Sequence, residues 1–186
     1  METQTDSFLM RRVQSGDNAQ LAVLFERYSA PLFRYLLHLS GNRALSEDLV
    51  QEVFFRVLKY AASYDPGLAF PVWLYRTARN AYFDARHKHR LEVGGSEIGE
   101  VRSPDPLPEE LMTRKEETMF LEEALARLPE DKREVLVLSR FQNLRYEDIA
   151  NILKCEIGTV KVRVYRALKE LREKFCELRG ERLYDV

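Results

Sequence analysis

The chain has 186 residues, 45% of them hydrophobic, and its 29 Lys and Arg nearly balance its 30 Asp and Glu. This length and hydrophobic content allow one large domain or two small ones. No stretch approaches a membrane span, which takes about 18 apolar residues, and the N-terminus lacks the order of a signal peptide, so we expect a cytoplasmic protein. Cys155, Cys176 and the histidines share no ligand spacing, which predicts neither a metal site nor a cofactor.

Three helices are predicted within residues 1–90, each from apolar residues at helical spacing. The first runs from Leu21 to Leu39, should be kinked or split at Pro31, and should end at Gly41. The second should begin near Ser46, an N-cap followed by two acids, and bury Leu49, Val53, Phe54, Val57, Leu58 and Ala61. The third should begin at Pro71, with one face formed by Phe70, Trp73, Leu74, Thr77, Ala78, Ala81 and Ala85.

Residues 91–118 form an acidic stretch whose first part is rich in Gly and Pro and poor in large apolar side chains. Such a composition cannot bury enough surface to fold alone, so it predicts a linker that leads into the start of a helix. Beyond it, apolar spacing predicts helices at about 109–128, 130–142, 146–153 and 157–176. The predicted fold is therefore all-α, with two small helical domains at 1–90 and 119–186 joined by a flexible acidic linker.

The last predicted helix separates apolar from basic side chains. Its buried stripe comprises Ile157, Val160, Val164, Ala167, Leu168, Leu171 and Phe175. Its opposite side carries Lys161, Val162, Tyr165, Arg166, Lys169 and Arg172. A short helix, a tight break and a second helix with exposed basic and hydrogen-bonding side chains is the layout of a DNA-binding helix-turn-helix. A solvated charged face on a surface helix explains the pattern equally well, so the residues alone leave both readings open.

The third predicted helix interleaves cations and aromatic rings on its outward face, at Arg76, Arg79, Asn80, Phe83, Arg86, His87 and Arg90. Cations attract phosphates and exposed rings stack on unpaired bases, so this face suits single-stranded nucleic acid. The alternative is that the rings complete the core while the arginines keep the surface soluble.

The helix predicted from Ser46 presents a phenyl ring among polar side chains opposite its buried stripe, at Asp48, Gln51, Glu52, Phe55, Arg56 and Lys59. Aromatic anchors rimmed by polar groups are typical of protein interfaces. A simple amphipathic helix with Phe55 partly buried is the alternative. Acid–base catalysis is not indicated, because no catalytic partner or metal set accompanies the carboxylates, and we predict no catalytic residue.

Four motifs follow one another along the chain: "DLVQEVF", "WLYRTARN", "LPEDKREV" and "YEDIANIL...GTVK". In this order and spacing they resemble the sigma-70 family, and most closely its extracytoplasmic-function (ECF) branch. The first two resemble region 2 of that family, and the last two resemble region 4. The resemblance implies a protein that binds core RNA polymerase, directs it to promoters and helps to open the duplex, without catalysing a covalent reaction itself.

The same resemblance implies roles for individual residues. Contact with the clamp of the polymerase beta-prime subunit is expected of Asp48, Gln51, Glu52 and Phe55. Contact with the melted minus-10 element is expected of Arg76, Arg79, Asn80, Phe83 and Arg86, with the loop 63–69 beside a flipped base. Reading of the minus-35 element is expected of Lys161, Val162, Tyr165, Arg166 and Lys169. An anti-sigma factor that covers both DNA-facing surfaces would be a further partner, although no residue identifies one.

Several positions depart from the usual pattern of the family. Val162 stands where a small Ser is usual, which exchanges a hydrogen-bond donor for an apolar contact suited to a thymine methyl group. Lys154 replaces a frequent helix-ending Gly, and Arg145 replaces a frequent Ser N-cap. Asn143 stands where Gly is common and can still adopt the left-handed conformation. We expect the fold to survive these changes.

Three rival functions are compatible with parts of the pattern. One is a stand-alone helix-turn-helix regulator that binds an operator as a dimer, although such proteins usually lack a basic aromatic face suited to unpaired DNA. Another is a sigma-like adaptor that binds polymerase without reading DNA. A nucleic-acid-processing enzyme is the third, and it lacks a catalytic constellation here.

Overall fold

A computed structural model of the protein describes residues 4–93 and 109–180. Within these ranges the chain forms eight α-helices and no β-strand, which confirms the all-α prediction. One 3-10 turn, Ala61–Ser63, follows α3, and one π-helical segment, Val137–Phe141, continues α6. The helices are α1 (Asp6–Gln14), α2 (Gln20–Ser40), α3 (Arg43–Lys59), α4 (Phe70–Val93), α5 (Glu109–Ala126), α6 (Glu130–Leu136), α7 (Tyr146–Leu153) and α8 (Ile157–Arg179).

Helices α1 to α4 pack into an N-terminal bundle around fully buried side chains that include Leu24, Tyr35, Phe70 and Leu74. Helix α1 was not predicted from the sequence. It buries Leu9, Met10 and Val13, and the Thr5 hydroxyl accepts a hydrogen bond from the Phe8 amide at its N-terminus. The acidic linker predicted for residues 91–118 lies partly outside the described residues, which resume with α5.

The predicted start of the second helix is wrong, and of the two outcomes predicted at Pro31, a kink or a split, the split is excluded. Helix α2 is not split at Pro31, because apolar residues on both sides of the proline pack into one continuous core that outweighs one lost hydrogen bond. Helix α3 begins at Arg43 rather than near Ser46, because the Asn42 side chain accepts a hydrogen bond from the Leu45 amide and caps the helix earlier. The Ser46 hydroxyl is instead buried and donates to the Asn42 carbonyl at 2.7 Å.

Two of the side chains predicted to be buried are exposed. Leu58 is 38% exposed because it lies one turn after Phe55 on the side of α3 that faces away from the bundle. Ile157 is 39% exposed because it is the first residue of α8 and lies before the buried stripe, of which Val160, Val164 and Ala167 are fully packed. Both exposures add apolar surface beside positions that the sequence assigns to binding.

Helices α5 to α8 form a C-terminal bundle, in which α8 packs against α5, α6 and α7. Its backbone turns at two residues with positive φ, Asn143 at 52° and Lys154 at 54°. Asn143 therefore adopts the left-handed conformation expected of it. Lys154 ends α7 in the same conformation without the freedom of glycine, and Arg145 begins that helix without a side-chain cap.

The two bundles are in contact. Helix α4 packs against α7, and α2 packs against α6 and the π-helical segment. The rings of His38 and Phe141 lie 4.6 Å apart across this contact, and the Arg133 guanidinium donates to the Leu39 carbonyl near the end of α2 at 3.3 Å. The buried side chains of both bundles belong to one continuous cluster.

Candidate nucleic-acid interface

Helix α4 turns its small and apolar residues inward, so its polar residues form a second face. Leu74, Ala78 and Ala81 are buried, which places the predicted minus-10 residues on the opposite and flanking sides. We call these residues the α4 face: Arg76, Arg79, Asn80, Phe83 and Arg86. The Arg79 guanidinium lies 4.7 Å from the centre of the Phe83 ring, close enough for a cation–π contact.

Most of the α4 face is engaged by the C-terminal bundle. Arg79 Nε donates to Glu134 Oε1 at 2.9 Å, and Arg76 Nη2 donates to the Asn151 carbonyl at 2.8 Å. Arg86 forms an ion pair with Glu130. Asn80, by contrast, is exposed to solvent. The three arginines predicted to contact DNA are therefore held by groups of the same chain.

Glu134 is the centre of this contact and is only 3% exposed. It accepts one hydrogen bond from Arg79 and another from the Tyr35 hydroxyl at 3.0 Å. Burial raises the pKa of the Glu134 carboxyl, while the Arg79 charge and the Tyr35 hydroxyl oppose that rise. Burial, followed by the nearby Glu134 charge, raises the pKa of the Tyr35 hydroxyl well above its usual value. Tyr35 therefore acts as the donor.

A small polar cavity opens beside the α4 face, between the end of α3 and the first turns of α4. Its volume is about 230 Å³, and it is lined by Arg56, Tyr60, Ser63, Trp73, Arg76, Thr77 and Asn80. The lining therefore combines aromatic rings with hydrogen-bond donors. The loop between the 3-10 turn and α4 is held by hydrogen bonds of its own: the Tyr64 hydroxyl donates to the Leu68 carbonyl, and Asp65 Oδ1 accepts from the Gly67 amide.

Helix α8 presents the second predicted DNA-binding surface. It is the second helix of a helix-turn-helix, because α7 ends at Leu153 and the left-handed Lys154 turns the chain into α8. Tyr165 is 72% exposed and Val162 is 47% exposed. The predicted minus-35 residues are all exposed on one side, and we call them the α8 face: Lys161, Val162, Tyr165, Arg166 and Lys169.

A third surface lies on α3, and we call it the α3 face: Asp48, Gln51, Glu52 and Phe55. Asp48 and Gln51 are exposed, and the Phe55 ring is 59% exposed. Glu52 pairs with Arg56 at 2.6 Å, and Arg56 also pairs with Asp84 of α4 at 2.7 Å. Arg56 therefore links Glu52 of the α3 face to helix α4, whereas the α8 face lies on the other bundle.

Some residues of these surfaces were missed from the sequence. Glu130 and Glu134 hold the α4 face, but nothing in their local pattern distinguishes them from ordinary acids of a surface helix. Phe25 of α2 is 42% exposed and contacts Phe54 of α3 edge-on, so it extends the apolar surface of the N-terminal bundle. An aromatic residue within an apolar helical stripe is expected to be buried, so the sequence did not indicate that Phe25 is exposed.

Two family models match the chain: Sigma-70 region 2 over residues 24–92 and Sigma-70 region 4 over residues 120–171. The ECF RNA polymerase sigma-E factor of Escherichia coli K12 is 32% identical over 187 residues, covering 93% of this chain and 95% of the relative. The chain belongs to the ECF sigma factors. ECF sigma factor SigE of Mycolicibacterium smegmatis is 33% identical over 165 residues, 86% of this chain but 64% of that relative.

A solved structure agrees with this membership. The sigma factor RpoE of Bartonella quintana, crystallised with the anti-sigma factor NepR, superposes with a TM-score of 0.67 at 28% identity, covering 82% of this chain and 94% of that one. As a member of this family, the chain described here serves promoter-specific initiation of transcription by RNA polymerase. The region 2 match includes the α3 and α4 faces, and the region 4 match includes the α8 face.

Proposed function

We propose that this sigma factor binds core polymerase with its α3 face, the melted minus-10 element with its α4 face and the minus-35 element with its α8 face. We further propose that residues 1–90 and 119–186 act as two units and that 91–118 connects them. The observation that carries this assignment is the pairing, in one chain, of an exposed helix-turn-helix face with a cation–aromatic face that borders a cavity.

The α8 face has the composition of a helix that lies in the major groove. Arg166 and Lys161 can donate to base edges, Val162 can meet a thymine methyl group, and Lys169 can contact a phosphate. All are exposed while the opposite side of α8 is packed against its bundle, so the helix can enter a groove without refolding. Exposure of Tyr165 without core contacts favours a ligand rather than a packing role.

The α4 face and its cavity have the composition of a site for unpaired DNA. Arg76 and Asn80 belong to the α4 face and also line the cavity. A DNA strand that follows the arginines of this face would therefore pass the mouth of the cavity. Trp73 and Tyr60 offer rings for stacking, and Asn80 and Arg56 offer donors for the edge of a base. We propose that one base of the melted minus-10 element leaves the stack and enters this cavity.

The α3 face suits a protein partner. An exposed phenyl ring among acids and an amide is the composition of an interface anchor, and exposed Leu58 extends its apolar area. We propose that the partner is the clamp of the beta-prime subunit. An anti-sigma factor is a second proposed partner, because the related sigma factor of Bartonella quintana was crystallised with one.

We propose that the sigma factor itself catalyses no covalent reaction and that its surfaces bind and orient the polymerase and DNA. Its place of action would be the cytoplasm, where polymerase and promoters are. Within the described residues, no helix is both long and apolar enough to cross a membrane.

The test is transcription with purified core polymerase on a library of promoters with randomised minus-35 and minus-10 elements. Enrichment of particular sequences at both elements is the expected result. Binding to DNA that ignores the polymerase would favour the operator-binding regulator, and polymerase binding without sequence enrichment would favour the adaptor. Replacement of Asp48 by Lys should weaken capture of core polymerase. Capture equal to that of the wild type would show that Asp48 of the α3 face does not contact the polymerase.

A further inference from the structure

Helix α1 packs against the 3-10 turn that borders the small polar cavity. The helix precedes the part of the chain that matches region 2. Within the described residues, the cavity is lined by side chains from α3, from the two residues Tyr60 and Ser63 that flank and end the turn, and from α4. Helix α1 can therefore act on the cavity through the turn rather than by contact with a base.

Gln14, the last residue of α1, holds both ends of this turn. Its side-chain Nε2 donates to the Ala61 carbonyl at 3.0 Å and to the Tyr64 carbonyl at 2.8 Å. A side-chain amide has two N–H groups, so these two bonds use all of its donors. The Ala61 carbonyl also accepts from the Tyr64 amide at 3.0 Å, which closes the turn. Gln14 therefore fixes the backbone on both sides of Ser63, which lines the cavity.

Tyr64 carries this constraint to a second wall of the cavity. Its side chain is buried, and the centre of its ring lies 5.3 Å from the centre of the Trp73 ring, which lines the cavity. Its hydroxyl donates to the Leu68 carbonyl and lies 3.4 Å from Ser7 Oγ of α1. Helix α1 thus contacts Tyr64 at its backbone and at its hydroxyl, and a shift of Tyr64 would change the packing of Trp73.

Helix α1 is attached to its bundle by other contacts as well. Its buried side chains are Leu9, Met10 and Val13. Asp6 in its first turn pairs with Arg27 of α2 at 2.6 Å. Because these contacts do not involve Gln14, the main effect of the Gln14 hydrogen bonds is on the turn that they join to α1.

We propose that Gln14 is a positioning residue for the minus-10 element, whose two hydrogen bonds keep the cavity in the shape that an unpaired base enters. This inference rests on the proposed function of the cavity, and it adds a residue that does not line it. A site whose walls are already ordered loses less entropy when its ligand binds. Without Gln14 the turn would have to be ordered as the base enters, so the cavity would bind the base more weakly.

The state of the cavity wall can be measured without DNA or polymerase, because Trp73 is the one tryptophan of the chain. Gln14→Met keeps the length of the side chain and removes both donors. Fluorescence emission of the variant should shift to longer wavelength, and acrylamide should quench it more strongly, because Trp73 becomes more accessible to water. Emission and quenching equal to those of the wild type would overturn the proposal.

The matched control is Gln20→Met, the same exchange at a glutamine whose amide donates to Asp17 rather than to the turn. Its fluorescence should equal that of the wild type. Circular dichroism reports whether each variant keeps its helical content. If Gln14→Met does not, Gln14→Glu replaces it, because its carboxylate stays polar but cannot donate, and the same result is expected. Loss of helical content in both variants would overturn the proposal, since Gln14 would then maintain the fold rather than the cavity.

The second readout is open-complex formation by core polymerase with each chain, on promoters that lack the base at one minus-10 position in turn. On the intact promoter, Gln14→Met should lower open-complex formation about fivefold, the equivalent of about one hydrogen bond. At one position this loss should disappear when the base is removed, because no base then enters the cavity of either chain. A merely structural role would lower open-complex formation equally with and without the base.

The outcomes separate the role of Gln14 from the proposed function. Equal losses by Gln14→Met with and without the base at every position would overturn the positioning role, even if transcription is promoter-specific. Wild-type initiation that does not respond to removal of any minus-10 base would instead overturn the proposed role of the cavity. In that case the fluorescence of Trp73 would still show whether Gln14 holds the cavity wall.

Discussion

The α4 and α8 faces have similar side chains in opposite surroundings. Both carry cations and an aromatic ring on a long helix, yet the arginines of the α4 face contact carboxylates and carbonyls of the other bundle, whereas the α8 face is open to solvent. The difference shows that a basic helix face does not by itself indicate a free binding surface. Under the proposed function, the α8 face is accessible to DNA as it stands, whereas the arginines of the α4 face already have partners within the chain.

Substitution of Arg166 should have the largest effect, because within residues 4–93 and 109–180 no side chain of the α8 face has a hydrogen-bond or ion-pair partner to lose. Arg166→Ala should lower transcription from the preferred minus-35 sequence by about 2 kcal/mol, roughly thirtyfold, since a bidentate base contact contributes about 1 to 3 kcal/mol. Arg127→Ala is the matched control, because Arg127 is exposed just after the end of α5 and pairs with Glu123. Selection from a randomised minus-35 library measures the effect, and identical selection by both variants would contradict the account.

Substitution of Asn80 should separate the proposed DNA contact from the contact between the bundles. Asn80 belongs to the α4 face but is exposed, so Asn80→Ala should weaken open-complex formation by about 1 kcal/mol, the value of one hydrogen bond, without weakening the contact between the bundles. The loss of open complex should be larger on duplex promoters than on templates with a pre-melted bubble. Equal losses on both templates would assign Asn80 a structural role instead.

Substitution of Tyr35 should test the contact between the bundles alone. Tyr35→Phe removes the hydroxyl that donates to Glu134 while keeping the ring, which should weaken the contact between the bundles by about 1 kcal/mol. Tyr28→Phe is the control, because its hydroxyl binds Asp6 within the N-terminal bundle. Energy transfer between dyes attached to the two bundles should fall only for Tyr35→Phe. Unchanged transfer in both variants would show that the Tyr35 hydroxyl does not stabilise the contact.

The smallest effect is expected at Lys169, which is assigned to a phosphate. Lys169→Ala should weaken all promoters alike and reduce the slope of log affinity against log salt concentration by about 0.9, the value of one phosphate contact on duplex DNA. Titrations at several salt concentrations measure the slope. A change in minus-35 sequence preference would instead indicate that Lys169 contacts bases.

The exposed α8 face was predictable from the sequence, but the covering of the α4 face by the C-terminal bundle was not. The α8 face follows from positions three and four residues apart on one helix, which local spacing determines. The contact of Arg79 with Glu134 joins residues 55 positions apart, and no local pattern reports such a distant pairing. The arginines were therefore predicted on the correct helix but without their internal partners.

The start of α3 was mispredicted for a related reason. Asn42 and Ser46 are both good N-caps, and local sequence does not choose between them. The choice is made in the folded bundle, where the Ser46 hydroxyl lies 2.9 Å from the hydroxyl of Ser40 on the preceding helix. The helix that carries the α3 face was still predicted, because its exposed residues depend on spacing rather than on where the helix begins.

The most direct test of the account is the reactivity of individual arginines toward a dicarbonyl reagent, followed by mass spectrometry of the modified peptides. In the free sigma factor, Arg166 should react faster than Arg79, whose guanidinium is held by Glu134. Equal rates at the two arginines in the free chain would contradict the account.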